Sequence, residues 1–484
     1  MAIDESTLRA RVVARPADDE PRLAYAAALE ARGEATGTFV RASVELARLA
    51  KDVGTWEAEL KARDALVARL TEASGPGYER FVDRVKDARI SPRFRRGFVE
   101  GLDVPDPSVL YGALERMGDD LRLVRHLTVR DGLVDEVIAL LGMFRDVVSL
   151  ELGGHVLSSP GLAETLFASE PMARLRRLVV GRGSRIEGSL KALAKRALPR
   201  LTMLDLSCSG TGDAGAKALA QARWTKSLCT LRMSDAVLGP EGIRALVAAP
   251  HGWENLSTLD LGGNPLGAEG VTRLRPLRAP LVVLSLPAVE ADADSLKRLL
   301  EGRTFAGRKL ARLSIDFAAV GDSLAEVIGP KSRSLRSLSA SSCGVGEKGL
   351  VALLDLLEQS EPEPTSARER APTKAKKTTA SAGAGKAIGA TKRWNVSPLQ
   401  TLDLSVNPLG SLGLEHLADS YWAEKLVSLD VSFAPNAKKA SKLYLARALG
   451  SRARFGRDEL GARESHDPPK SAFLDADELS AFDD

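Results

Sequence analysis

Leucines keep a fixed cadence through most of this chain. In Leu256-Ser-Thr-Leu-Asp-Leu-Gly-Gly-Asn264-Pro-Leu266 the apolar positions read L-x-x-L-x-L-x-x-N-x-L. Leu259 and Leu261 alternate with polar neighbours, so they share one face of a short strand. Asn264, Pro265 and Gly267 follow with turn chemistry: the side-chain amide engages nearby backbone, and proline and glycine keep the strand from extending. Aligned on its first apolar position, the cadence restarts at Val99, Val124, Val147, Leu175, Leu201, Leu228, Leu256, Leu281, Leu310, Leu335, Leu399 and Leu426. Apart from one long gap, successive starts lie 23–29 residues apart. After the strands the period changes to helical, as in Gly215–Leu219, Gly242–Leu246, Ser295–Leu300, Gly349–Leu354 and Gly413–Leu417. A strand–helix unit of this size cannot bury its apolar face alone, so the units must stack.

This motif is the leucine-rich repeat signature. The long unit and the Leu-Gly-x-x-Gly helix entry (Leu266–Gly270) resemble the ribonuclease-inhibitor-like class of repeats. The resemblance implies an α/β solenoid, a horseshoe with parallel strands on the concave face and helices on the convex one. A helix is wider than a strand, so such a stack curves.

The first 95 residues lack the cadence and read as helical. Thr7 to Ala14 is a short helix closed by Pro16; Asp18-Asp-Glu-Pro21 then supplies the cap, acidic first turn and early proline of a second. Leu23, Ala26, Ala27, Ala28 and Leu29 form its expected buried face, with Gly33 closing it. Phe39 to Leu49 and Trp56 to Leu70 repeat the helical spacing. The run Pro16-x-Asp-Asp-x-Pro-Arg-Leu-x-Tyr-Ala-x-x-Leu-Glu-x-Arg-Gly33, with Phe39-Val40-Arg41, resembles the bacterial repeat-companion domain. That domain precedes leucine-rich repeats, and the resemblance covers about the first 50 residues. Ala27-Ala28 stands where the family has Asp-Trp. Phe94-Arg-Arg-Gly-Phe-Val-Glu-Gly101 resembles the family's junction into the repeats. The resemblance implies architecture, and no activity.

Charge changes the picture at one place. The total is +4, but Glu361 to Val396 holds eight basic and three acidic residues, or +5, which leaves −1 for the rest. This stretch accounts for the long gap between Leu335 and Leu399. It is rich in Pro, Ala, Thr, Ser, Gly and Lys, too poor in apolar residues to offset its ordering entropy, and is expected to be a disordered insert, 361–396. A solvated linker and a tether for nucleic acid or another polyanion both fit it; aromatic residues for base stacking are lacking. The tail 456–484 ends acidic, and Leu474, Leu479 and Phe482 could form a short docking helix within it.

Catalytic and metal chemistry find little footing. Three cysteines without a C-x-x-C pair argue against disulfides and zinc, and the five histidines are scattered. His126, placed on the concave face, pairs with Glu151 of the next repeat as a surface contact. Cys343 stands where Asn264 and Asn407 stand in their repeats and reads as a packed thiol. Trp224, Trp253, Trp394 and Trp422 each precede a repeat start and read as core plugs. The alternation places Asp205, Arg232, Asp260, Arg312, Asp403 and Asp430 on the concave face as a candidate protein-binding strip. The alternative is that these residues only solvate an open sheet.

The expectation is therefore a helical repeat-companion domain at 1–95, a solenoid of about twelve units at 96–455, and an acidic tail. Its function is a non-catalytic protein–protein interaction scaffold or recognition module with an unidentified protein partner; polyanion binding through the insert is the alternative. No cofactor, metal or membrane contact is expected. The polar first residues and the want of a long apolar run suggest a cytoplasmic location, and the chain is expected to be a monomer.

Overall fold

The computed structural model describes residues 4–49, 90–110, 118–302, 310–358 and 399–456, apart from positions 155, 158, 159, 182, 184, 185, 421, 423 and 424. The helical pattern at Trp56 to Leu70, the insert 361–396, Trp394, His155, His466 and the tail beyond residue 456 lie outside them.

Among the described residues one sheet of fourteen strands runs the length of the repeats in sequence order. A hairpin, β1 (Ser91–Arg95) and β2 (Phe98–Val104), opens it. Then come β3 (His126–Val129), β4 (Ser149–Leu152), β5 (Arg177–Val180), β6 (Met203–Asp205) and β7 (Thr230–Arg232). After these follow β8 (Thr258–Asp260), β9 (Val283–Ser285), β10 (Arg312–Ser314), β11 (Ser337–Ser339), β12 (Thr401–Asp403), β13 (Ser428–Asp430) and β14 (Ala453–Arg454). Every pair from β2 onward is parallel. Helices such as Gly212–Ala220, Pro240–Val247, Ala293–Glu301, Glu347–Glu358 and Ser411–Asp419 return the chain between strands. This is an α/β solenoid.

The middle leucine of each short strand points inward. Leu204, Leu231, Leu259, Leu284, Leu313, Leu338, Leu402 and Leu429 are all buried, and burial of each contributes about 1.5–3 kcal/mol. The residues on either side of it face the opposite way and are mostly half-exposed. Trp224, Trp253 and Trp422 are buried in the same core, and Trp253 donates its indole N–H to the Leu246 carbonyl at 2.8 Å. β11 pairs directly with β12, Ser337 opposite Thr401, so the repeats on either side of residues 359–398 are contiguous.

Polar side chains stitch each repeat to its neighbours. Asn264 is buried and accepts from the backbone N–H groups of Ala236 and Leu238 in the preceding repeat, both at 3.0 Å. Its amide donates to the carbonyls of Met233 and Leu261, both at 2.7 Å. Asn407 repeats the arrangement, accepting from Cys343 and Val345 and donating to Ala340 and Leu404. Carboxylates reach the other way. Asp213 accepts from the N–H groups of Gly239 and Gly242 at the start of the next repeat's helix, and Asp322 from those of Gly346 and Gly349. A negative group is favourable at a helix start. It leaves no room for a side chain: a Cβ at Gly242 would stand 2.4 Å from the Asp213 carboxylate.

The N-terminal residues form three helices, α1 (Glu5–Ala14), α2 (Asp19–Glu30) and α3 (Ala35–Leu49). The buried face of α2 differs from the expected one. Pro21, Arg22, Tyr25, Ala26 and Leu29 point inward, while Ala27 is exposed and Leu23 and Ala28 are half-buried. Arg22 drives this rotation, because its partner waits on the hairpin. Its guanidinium is buried against Glu100 at 2.7 Å and lies 5.6 Å from the centre of the Phe98 ring. Arg96 and Arg95 also reach Glu100, at 3.3 and 3.6 Å, and Arg96 donates to the carbonyls of Pro16 and Ala17. The hairpin turn is Arg96-Gly97, with φ of 48° and 83°, the two-residue turn whose twist suits paired strands. A side chain at Gly97 would strike Val40, whose Cα lies 2.5 Å from the Cβ position. The helices thus cover the hairpin, and β1 begins inside the stretch expected to be helical up to residue 95.

Candidate protein-interaction face

The sheet registers align the outward residues into two rows. One row runs Glu151, Val179, Asp205, Arg232, Asp260, Ser285, Ser314, Ser339, Asp403, Asp430, Arg454. The other carries His126, Ser149, Arg177 and Met203, and further along Arg312 between Val283 and Ser337. Five of the six expected binding residues therefore share one row, and Arg312 lies in the other. The strip is not continuously acidic. Asp205, Arg232 and Asp260 stand together on β6–β8, with Arg232 and Asp205 4.0 Å apart. Asp403 and Asp430 stand on β12–β13 beside Arg454. Three serines separate the two groups by four strand steps, about 19 Å at normal strand spacing.

The four aspartates also carry a local duty that the alternation does not reveal. Asp205, Asp260, Asp403 and Asp430 each accept, through one carboxylate oxygen, the backbone N–H two residues on: Ser207, Gly262, Ser405 and Ser432. Each thus closes the turn that ends its strand. The signal was present in sequence as Asp at one repeat position, always two residues before Ser or Gly. Asp316 was not among the candidates. It accepts from the hydroxyls of Ser314 and Ser339 and from the Ser341 N–H, joining two repeats at the end of β10.

In the N-terminal third of the face the row of His126, Ser149, Arg177 and Met203 is buried, while Glu151 and Val179 in the other row stay half-exposed. His126 was expected on an exposed surface beside Glu151, but it is wholly buried. Its ring nitrogens lie 2.6 Å from Ser149 Oγ and 3.1 Å from Thr128 Oγ1, and Glu151 is instead opposite Thr128 and 3.7 Å from Arg177. Arg177 is itself buried and reaches Ser149. Burial, then the charges of Arg177 and Arg93, push the His126 pKa well below its ordinary value and hold the ring neutral. Cys343 is buried with its thiol 3.2 Å from the Ile315 carbonyl, and burial raises its pKa to about 11. A thiol so protonated is a poor nucleophile.

Two concavities flank these features. A cleft of about 620 Å³ lies between α1 and the solenoid, lined by Arg9, Arg122, Arg125, Asp146 and the apolar side of α1. A shallow recess of about 210 Å³ lies on the sheet itself, between Ser337, Ser339, Thr401, Asp403, Ser428, Asp430 and Arg454. No group of three or more His, Cys, Asp or Glu with metal-binding geometry occurs among the described residues. No helix among them is long and apolar enough to cross a membrane.

The family model described as "Leucine Rich repeat" matches residues 254–274, the stretch built around Asn264. Two solved structures are similar. One is from the yeast Rad7 and Elc1 complex: 14% identity, 84% of this chain and 98% of that chain covered, TM-score 0.39. The other is an internalin from Listeria monocytogenes: 18% identity, 50% and 68% covered, TM-score 0.28.

Proposed function

We propose that this leucine-rich repeat solenoid is a non-catalytic protein-interaction scaffold that holds its partner on the outward face of the sheet. The observation that carries the reading is the half-exposed polar row from Asp205 to Arg454, continuous across nine strands. Hydroxyls and carboxylates at fixed strand spacing can pair with a partner's donors without rearrangement, which limits the ordering cost of association. The α1–α3 unit serves as the cap that an uncovered first repeat requires. In this reading it acts as the companion domain, and the chain works as a monomer.

The perturbation must spare the turns. Reversal to lysine would remove the turn acceptor together with the charge, so a lost interaction would be confounded by unfolding. Asparagine keeps the acceptor oxygen and favours the same turn. The combined variant D205N/D260N/D403N/D430N is expected to melt within a few degrees of the unaltered chain and to lose capture of a partner retained by that chain at high salt. Undiminished capture at unchanged stability would move the binding site off the sheet.

A further inference from the structure

Each repeat from β6 to β13 ends its strand with one residue in the left-handed backbone region. In chain order these are Cys208, Asp235, Gly263, Ala288, Phe317, Ser342, Val406 and Phe433, with φ between 51° and 66°. The fold requires the conformation, because there the chain swings out of the sheet while the residue's N–H still bonds the next repeat. Phe317 donates to the Ser341 carbonyl at 2.9 Å and Val406 to that of Ser432 at 2.7 Å. Glycine and Asp suit such a position, and small side chains strain it least; a β-branched or bulky one is an outlier there. Five of the eight positions hold Gly, Asp, Ser, Ala or Cys. The three bulky apolar residues cluster on four consecutive repeats, and burial does not explain them. Phe317 is 63% exposed, Val406 49% and Phe433 62%.

These side chains stand in the turns that follow β10, β12 and β13; β12 and β13 line the recess holding Asp403 and Asp430, and β10 lies one strand outside it. Three strand steps separate Phe317 from Phe433, about 14 Å. Strained backbone and exposed apolar surface at one place mark interaction sites. We infer that this rim and the recess beneath it form the docking site for a peptide segment that presents large apolar side chains beside Lys or Arg. The inference rests on the reading of the sheet as a protein-binding surface, and names where on it and for what chemistry. The apolar side chains meet Phe317, Val406 and Phe433. The cation meets Asp403 and Asp430, each of which spends one oxygen on its turn and keeps the other for a ligand. The two carboxylates outnumber the one cation of the recess, Arg454, so its floor opposes phosphate, which disfavours nucleic acid and anionic lipid.

The test uses the full chain and a fluorescein-labelled twelve-residue peptide alternating Leu and Lys, with a Leu–Glu peptide as its control, read by anisotropy. The unaltered chain is expected to bind the Leu–Lys peptide at least tenfold tighter than the control. The variant F317G/V406G/F433G is expected to lose at least tenfold in affinity without a lower Tm, because glycine relieves the strained turns. Val237 supplies the internal control: it is equally strained, with φ of 61°, and 66% exposed, but lies on the β7 repeat away from the rim. V237G is expected to keep full affinity. Equal affinity of the triple variant, or no preference for the cationic peptide, overturns the assignment. Rim-dependent binding to phosphatidylserine vesicles overturns it in favour of a lipid surface. Peptide binding that survives the rim variant but fails in D205N/D260N sinks this inference and leaves the sheet-face reading standing. Natural-partner capture unaffected by either set sinks both.

Discussion

Replacing Asn407 by leucine tests the stitching between the repeats on either side of residues 359–398. The side chain accepts from the N–H groups of Cys343 and Val345 at 3.0 Å each and donates to the carbonyls of Ala340 and Leu404 at 2.8 and 3.0 Å. Three of these partners precede the 359–398 stretch and one follows it. Leucine has the same number of side-chain heavy atoms and no polar atom; its greater bulk can only add to the cost at this buried site, and two backbone donors lose their acceptor. Each such donor costs about 1–3 kcal/mol, hence about 2–6 kcal/mol in all. Repeat stacks divide stability into unit and interface terms, so the loss concentrates at one interface. Urea unfolding followed by circular dichroism is expected to show an early transition for the units after residue 399, ahead of the main one. Hydrogen exchange should place the added opening in β12 and β13. A single transition shifted by less than about 1 kcal/mol would refute the argument, because the buried donors would then have found other partners.

Two further expectations follow from the buried charges. Glu100 faces Arg22, Arg95 and Arg96; E100A leaves guanidinium groups buried without their counter-charge and should destabilise by about 3–5 kcal/mol, read as earlier proteolysis within residues 4–49, whereas unchanged protease resistance would remove the cluster from the docking of α1–α3. His126 has its pKa pushed well below 6.5, so the unfolded chain takes up a proton that the folded one refuses. Stability is then complete above about pH 6.5 and falls as the pH drops below it, by up to about 1.4 kcal/mol per pH unit. H126Q should flatten that slope, and an identical slope in both proteins between pH 7 and 5 would refute the assignment.

The strand positions were legible in advance because alternation is a local property. From Val124 onward each repeat start named from the cadence precedes the first paired residue by two positions, as Leu201 precedes Met203 and Leu426 precedes Ser428. The same rule sorted Asp205 and Asp430 to the outward face. What the sequence concealed depends on partners far along the chain. Arg22 reads as a solvent-facing residue until Glu100, 78 positions on, draws it inside. His126 reads as exposed by alternation, but it is buried beside Ser149 of the next strand, with Arg177 of the strand after it and Arg93 of the hairpin near enough to act on its charge. The strand β14 gives no signal in the cadence because Ala453-Arg454 carries no leucine at all. The left-handed turns were also hidden: Phe317 and Val406 are residues that disfavour them, and only the return path of the backbone imposes them.

Borrowed groups also bear on how such a chain can be lengthened or shortened over generations. The repeat from Leu228 to Asn255 has its helix start held by Asp213 of the unit before it and its turn held by Asn264 of the unit after it. The repeat beginning at Leu335 depends in the same way on Asp322 and Asn407. Neither is a self-sufficient cassette. A duplication of one such unit alone would set two dependants side by side, each with a donor on one flank only, leaving one turn and one helix start unserved. Recombination that preserves the fold must carry donor and dependant together, so the heritable module here is longer than the repeat.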